Sequence, residues 1–174
     1  MKEQEYIDKR KKQRKKKLQP LDTSKSLESS TVKRGNAYQF TKTGFRSDLG
    51  IIARSNWEAN IIRILETYRI AWEFEPRTFH YPIKRGVKGY IPDIYLTDTK
   101  EYIEVKGWMD PRSKTKLKRF KKYYPDEFSR LTLIIGKSSP DALTFCKEIG
   151  VPTILFYQNF LQLYKDSIPN WEGK

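Results

Sequence analysis

Between residues 89 and 107, GYIPDIYLTDTKEYIEVKG, two short apolar runs, GYIPDIYL and YIEV, flank the polar stretch TDTKE. That pattern predicts a β-hairpin. Side chains alternate along a strand, so Glu104 and Lys106 should share one face while Ile103 and Val105 bury the other. Asp93, just after Pro92 on the first strand of the pair, should then come beside Glu104 where the two strands meet. Upstream, Trp57, Ile61, Ile64, Leu65 and Tyr68 recur at helical spacing, and Ser55 followed three residues later by Glu58 forms a capping box. A helix over about 56–69 is expected. Residues 70–84 alternate apolar and polar positions and are rich in aromatics, which predicts strand structure broken at Pro76.

Downstream, Asp110 and Pro111 read as an N-cap and first-turn pair opening a helix over about 111–124. Its apolar stripe is narrow: Leu117, Phe120 and Tyr124. The run LTLIIGK at 131–137 suits a buried strand, a helix should follow from Ser139 and Pro140 to Gly150, and TILFY at 153–157 is a last strand before a short terminal helix in NFLQLYK. A helix, three antiparallel-prone strands, then helix, strand, helix and strand imply an α/β protein with a mixed central sheet flanked by helices. Residues 44–174 should form that domain.

Residues 1–43 differ in kind. Lys9, Arg10, Lys11, Lys12, Arg14, Lys15, Lys16 and Lys17 fall in one stretch of nine, followed by a Ser/Thr-rich segment with few large apolar residues, so a basic, disordered tail is expected. Across the chain 35 basic side chains face 21 acidic ones, a net charge of +14. A polyanionic partner follows, nucleic acid before membrane, because no run is apolar enough to span a bilayer and no anchor motif accompanies the charge. No secretory signal opens the chain, so a cytosolic protein is expected, although the basic run would also serve as a nuclear-targeting signal. One cysteine, Cys146, and one histidine, His80, exclude an internal disulfide and an ordinary zinc site. Any metal must be bound by carboxylates.

PD followed by EVK resembles the signature of the PD-(D/E)xK nuclease superfamily, over about residues 47–157. ARSNWEANIIRILETYRIAWEFEP, YIPDIYL, YIEVKGW and FCKEIGVPTI look closer still to the phage-encoded endonuclease I family, which resolves branched DNA such as Holliday junctions. The resemblance implies a restriction-endonuclease-like core and a metal-dependent endonuclease that hydrolyses DNA phosphodiesters by in-line attack, leaving a 5′-phosphate and a 3′-hydroxyl. It implies catalytic roles for Glu58, Asp93, Glu104 and Lys106, with Glu58, Asp93, Glu104 and the Val105 carbonyl holding Mg²⁺, or Mn²⁺ in its place. Lys106 would position the attacking water. Glu58 could equally do no more than cap its helix, and Glu73, which also matches an acidic position of the family, reads as a surface glutamate of its strand. His80 reads as a satisfied structural residue. A homodimer would bring two sites to two strands, through surfaces around residues 72–81 and 45–57.

Basic residues outside the tail complete the expected DNA surface: Arg54, then Arg112, Lys114, Lys116, Lys118 and Arg119 on the helix that follows Lys106. Arg46 reads as a phosphate contact or a surface charge. Two other readings share these residues, namely a site-specific or nicking nuclease of linear duplex (homing-type or transposon-end-type) and a basic nucleic-acid-binding protein without catalysis. If the tail binds phosphates, removing residues 1–20 weakens DNA binding for every sequence alike and flattens its log–log salt dependence by roughly 0.9 for each phosphate no longer neutralised. Affinity measured across a salt titration checks this, and an unchanged slope would return the segment to a solvated tail.

Overall fold

The computed structural model describes residues 43–137 and 140–173. The tail and its eight basic residues lie outside that range. The chain starts with an antiparallel pair, β1 (Gly44–Arg46) and β2 (Ile51–Ala53), turned through Gly50 at φ 66° and leaving Phe45 and Ile52 opposite one another and exposed. Helix α1 (Asn56–Thr67) follows, its N-terminus held by the Ser55 hydroxyl, which accepts from the Glu58 N–H. Ile61, Ile62, Ile64 and Leu65 are buried along it, whereas Tyr68 lies past its last turn, exposed and edge-on to Tyr164.

Strand β3 (Trp72–Phe74) and strand β4 (Phe79–His80) are separated at Pro76, as the alternation predicts, but they join different sheets. β4 pairs with β5 (Gly89–Tyr90), whereas β3 pairs with β6 (Ile94–Leu96). The predicted first arm of the hairpin is therefore two strands, parted at Ile91, Pro92 and Asp93. The proline has no N–H to give a ladder, and that break is what frees Asp93 to turn inward. β6 runs antiparallel to β7 (Glu101–Lys106), with Ile94 opposite Ile103 and Leu96 opposite Glu101.

Asp110 caps α2 (Pro111–Tyr123), accepting from the N–H groups of Arg112 and Ser113. A single turn, α3 (Pro125–Phe128), leads into β8 (Leu131–Ile135), which pairs parallel to β7; α4 (Pro140–Glu148) then crosses to β9 (Thr153–Phe156), parallel to β8. Helix α5 (Tyr157–Tyr164) closes the described elements. The sheet order is β3-β6-β7-β8-β9, so the protein is α/β with a mixed five-stranded sheet and β7 at its centre.

Alternation along β7 and β8 divides the core in two. Tyr102, Leu131, Leu133 and Ile135 pack with Phe79, Tyr90, Leu117, Phe120 and Phe145. Ile103, Val105 and Ile134 pack on the other side with Ile61, Ile62 and Tyr157. Both faces of the central strands are covered, which is why the segment 131–135 is apolar but for the half-buried Thr132. Among the described residues no helix is long and apolar enough to cross a membrane.

Arg46 corrects the expectation of a surface charge or phosphate contact. It is buried, donating to the Glu172 carboxylate, the Gly44 carbonyl and the Asn56 side chain. Arg63, also buried, pairs with Asp48 at 2.7 Å and with Glu172 at 2.9 Å, tying the β1–β2 hairpin and the C-terminal segment to α1. In the aromatic stretch expected as a dimer surface, Phe79 and Tyr81 are buried, whereas Trp72 and Phe74 are half-buried. Phe120 is the hub there, with no exposure and ring contacts to Phe79 at 4.8 Å, Tyr90 at 4.7 Å and Phe128 at 6.0 Å. Phe120→Ala should cost about 3–5 kcal/mol of stability, a large part of what a domain of this size has, as measured by urea unfolding.

Candidate active site

Three backbone segments converge on one cluster of charges. Asp93 stands at the break before β6, Glu104 and Lys106 lie on one face of β7, and Glu58 is in the first turn of α1. Relative exposures of 3 % for Asp93, 2 % for Glu104 and 6 % for Glu58 put all three carboxylates out of water. The face of β7 expected to be open is thus covered, and the carboxylates are buried polar groups that need partners.

Each has some. The Val105 N–H donates to Asp93 Oδ2 at 2.8 Å, so Val105 meets the aspartate through its backbone. The Tyr90 hydroxyl donates to Glu104 Oε2 at 2.8 Å. Lys106 Nζ lies 2.6 Å from Glu104 Oε1 and 3.9 Å from Asp93 Oδ2. Glu58 takes the Arg54 N–H on Oε2 at 2.9 Å and the Ser55 hydroxyl on Oε1 at 3.0 Å. Its carboxylate closes the capping box one residue upstream of the usual N-cap N–H. The two readings of Glu58 coexist: it caps the helix, and it is buried where its charge is felt by Asp93 and Lys106.

Burial, then repulsion from Glu104 and Glu58, pushes the Asp93 carboxyl well above the usual range despite the opposing pull of Lys106. Burial raises Glu58 as well, against hydrogen bonds from Arg54 and Ser55 and the attraction of Lys106 and Arg54. For Lys106 burial acts downward, but Glu104 and Asp93 outweigh it and the ammonium is held more firmly protonated than usual. Tyr90, wholly buried beside Glu104, is likewise raised and stays a phenol that donates. Three buried acids thus lie around one half-buried ammonium, an excess of acid that protons or a further cation must offset.

That donor set suits a hard divalent cation. Asp93 and Glu104 bring two carboxyl groups to one ammonium, and among the described residues Asp93 Oδ1 takes no hydrogen bond. No group of three or more Asp, Glu, His or Cys side chains among the described residues is drawn together tightly enough to cage a metal alone. Mg²⁺ needs no such cage, since it commonly uses one or two carboxylates and completes its shell with water and substrate phosphate. No protein-family model matches the chain, and neither a curated protein nor a solved structure does.

Two residues of this cluster carry no sequence signal of their own. Tyr90 reads as one more apolar strand residue until β5 turns it toward Glu104. Glu75 holds a φ of 47°, its N–H donates to the Asp93 carbonyl at 2.8 Å, and its carboxylate pairs with the Arg54 guanidinium. A left-handed non-glycine residue against a buried acid marks a backbone held in place by its surroundings. Glu73 is exposed on β3 opposite Tyr95, away from the cluster, and His80 is exposed on β4 rather than packed.

The expected DNA contacts separate by position. Arg54, Arg112 and Lys116 line one cavity together. Lys114 and Lys118 reach over the Phe145 ring on α4, and Arg119 donates to the Val87 carbonyl, bracing the loop before β5.

A buried acid whose folded pKa is raised stabilises the fold in its protonated form. The contribution is complete below the unfolded value, about 4, and is lost as pH rises through the folded value. Asp93→Asn keeps an acceptor for the Val105 N–H and removes the titration. In a chelator, the variant should be the more stable protein at neutral pH, with the margin over wild type growing from pH 4 to pH 8 in denaturant titrations. A margin that stays flat over that range contradicts the charge excess.

Proposed function

We propose that this chain is a metal-dependent endodeoxyribonuclease built on a restriction-endonuclease-like core, acting on branched DNA as a homodimer. The observation that carries the reading is the burial of Asp93 and Glu104 side by side, bridged by the Lys106 ammonium, at the edge of a basic surface. A structural ion pair has no need of a second buried carboxylate whose charge one lysine leaves uncompensated. The mixed sheet with the acids at the β6–β7 junction supports the core assignment.

Asp93 and Glu104 would hold Mg²⁺, or Mn²⁺ in its place, with Glu58 close enough to add charge. When bound, the ion would supply Lewis-acid stabilisation of charge at the scissile phosphate and acidify a water. The chain's own groups do the rest. Lys106, protonated and anchored by Glu104, donates a hydrogen bond to the attacking water or to a phosphoryl oxygen, and it is not the base. Tyr90 fixes the Glu104 carboxylate from the side opposite Lys106, so that its remaining freedom is small. The Val105 N–H does the same for Asp93. In-line attack on phosphorus breaks the P–O3′ bond and leaves a 5′-phosphate and a 3′-hydroxyl. For the branched substrate the support is the resemblance and the charge: a dimer presenting two basic surfaces at a fixed angle would read the directions of phosphates in a junction without base contacts.

Cleavage of matched linear, nicked and four-way-junction DNA, with and without Mg²⁺, tests the proposal, alongside sedimentation of the protein. Asp93→Asn and Glu104→Gln should each lose about a thousandfold in rate while DNA binding survives. Lys106→Ala should lose about a hundredfold or more. Glu58→Gln is slowed at limiting Mg²⁺ if the carboxylate serves the site, and is nearly silent if it only caps α1. Near-wild-type cleavage by either the Asp93 or the Glu104 variant would sink the site. A monomer that prefers no junction would leave a nuclease of linear duplex, and binding without any metal-dependent cleavage would leave a nucleic-acid-binding protein.

A further inference from the structure

One cavity, of about 320 Å³, opens between the β4–β5 pair and the first half of α2. Arg54, Thr78, His80, Lys88, Arg112 and Lys116 line it, and no acidic side chain does. Arg112 and Lys116 stand four residues apart and so share one face of their helix. Lys88 and His80 come from the opposite wall, on and beside the paired strands. Lys88, Arg112 and Lys116 make no ion pair among the described residues. Three cations without an ion pair, the Arg54 guanidinium already held by Glu75, and the His80 ring thus line one space, and the three uncompensated charges repel one another unless an anion enters.

The helix terminus does not supply that anion site. Asp110 already accepts from the Arg112 and Ser113 N–H groups, so the attraction comes from side chains. Room for roughly ten water molecules accommodates a phosphate group with part of its sugar but no base pair. The cavity also adjoins the acids. Ile91, two residues before Asp93, lies on its wall, and Arg54 connects the two regions directly. The Arg54 N–H binds Glu58, and its guanidinium pairs with Glu75, whose own N–H binds the Asp93 carbonyl.

We propose that this cavity seats one backbone phosphodiester of the DNA strand being cut, next to the scissile one, and so sets the register in which that strand meets Asp93 and Glu104. The proposal rests on the nuclease reading above and narrows it: of the basic residues after Lys106, only Arg112 and Lys116 grip the substrate here, and they do so with Lys88, which lies on the other side of the sheet motif in sequence. Lys114 and Lys118, turned toward Phe145, stand outside the seat.

The test uses the full chain carrying Asp93→Asn, so that binding is read without cleavage, on a duplex and on a four-way junction across a salt titration in a chelator. Adding Lys88→Ala or Lys116→Ala should weaken binding about tenfold each and reduce the log–log salt slope by roughly 0.9. Lys114→Ala and Lys118→Ala serve as controls of equal charge change. In a second arm, wild-type protein with Mg²⁺ cuts DNA in which one phosphate near the cut is a neutral methylphosphonate. One such position should slow cleavage by wild type and make little further difference to the Lys116→Ala protein. Pocket variants that bind no worse than the controls with the same slope, or a methylphosphonate penalty that persists undiminished in Lys116→Ala, would overturn the seat. Wild type that cuts nothing removes the nuclease reading, and the binding arm then decides the cavity alone.

Discussion

The candidate site turns on one electrostatic imbalance: three buried carboxylates, Glu58, Asp93 and Glu104, lie around the ammonium of Lys106, which pairs with Glu104 and Asp93 and whose charge reaches Glu58. A buried ion pair roughly breaks even against desolvation when its geometry is good. A second and third carboxylate beside it do not break even. The excess is tempered because each of the three carboxylates accepts from at least one fixed donor, among them the Val105 N–H, the Tyr90 hydroxyl, the Arg54 N–H and the Ser55 hydroxyl. Such an arrangement costs stability in the free protein, and on the proposed reading that cost is offset when a cation enters.

The scaffold answers to that demand. β7 is the central strand, so Glu104 and Lys106 are carried on a strand with a neighbour on each side, and the parallel addition of β8 along one edge leaves the other edge to β6 and the Asp93 that precedes it. Pro92 interrupts the pairing one residue before the aspartate, which is how a strand otherwise bound into the sheet can give up a side chain to its interior. On the far side, Phe120 packs on the Tyr90 ring at 4.7 Å, so the phenol that steadies Glu104 is itself held by the aromatic core. A substitution deep in that core therefore reaches the site through a single ring.

Local signals were readable in the residues and long-range ones were not. The capping box at Ser55 and Glu58, the Asp110–Pro111 helix start and the turn between β6 and β7 each depend on side chains a few positions apart, and each formed where the spacing put it. Asp93, Glu104 and Lys106 could be brought together on paper because a hairpin fixes register. The link from Tyr90 to Glu104 spans fourteen residues across two different sheets, and that from Arg46 to Glu172 spans 126. No periodicity encodes such a pairing. Arg46 looked like a surface cation because nothing near it in the chain shows the Glu172 carboxylate that buries with it. The β1–β2 hairpin was missed for a related reason, since three-residue strands carry too little alternation to stand out.

The basic helix shows how composition overstates a binding surface. Seven cations between Arg112 and Lys122 suggest one continuous stripe, but a helix turns about 100° per residue and distributes them among different neighbours. Arg112 and Lys116 face the cavity near the acids, Lys114 and Lys118 lie over Phe145, Arg119 is spent on the Val87 carbonyl, and Lys121 donates to the Ile149 carbonyl at 2.8 Å. Several of these charges are therefore structural. Those that remain open gather where Arg54 already joins the cavity to Glu58 and Glu75, so the same arginine tempers the acids on one side and adds to the anion seat on the other. A phosphate backbone approaching from the cavity would meet cations first and carboxylates next. On the proposed reading, that order would separate holding a polyanion from reacting with it, because the buried carboxylates alone would repel a phosphate backbone.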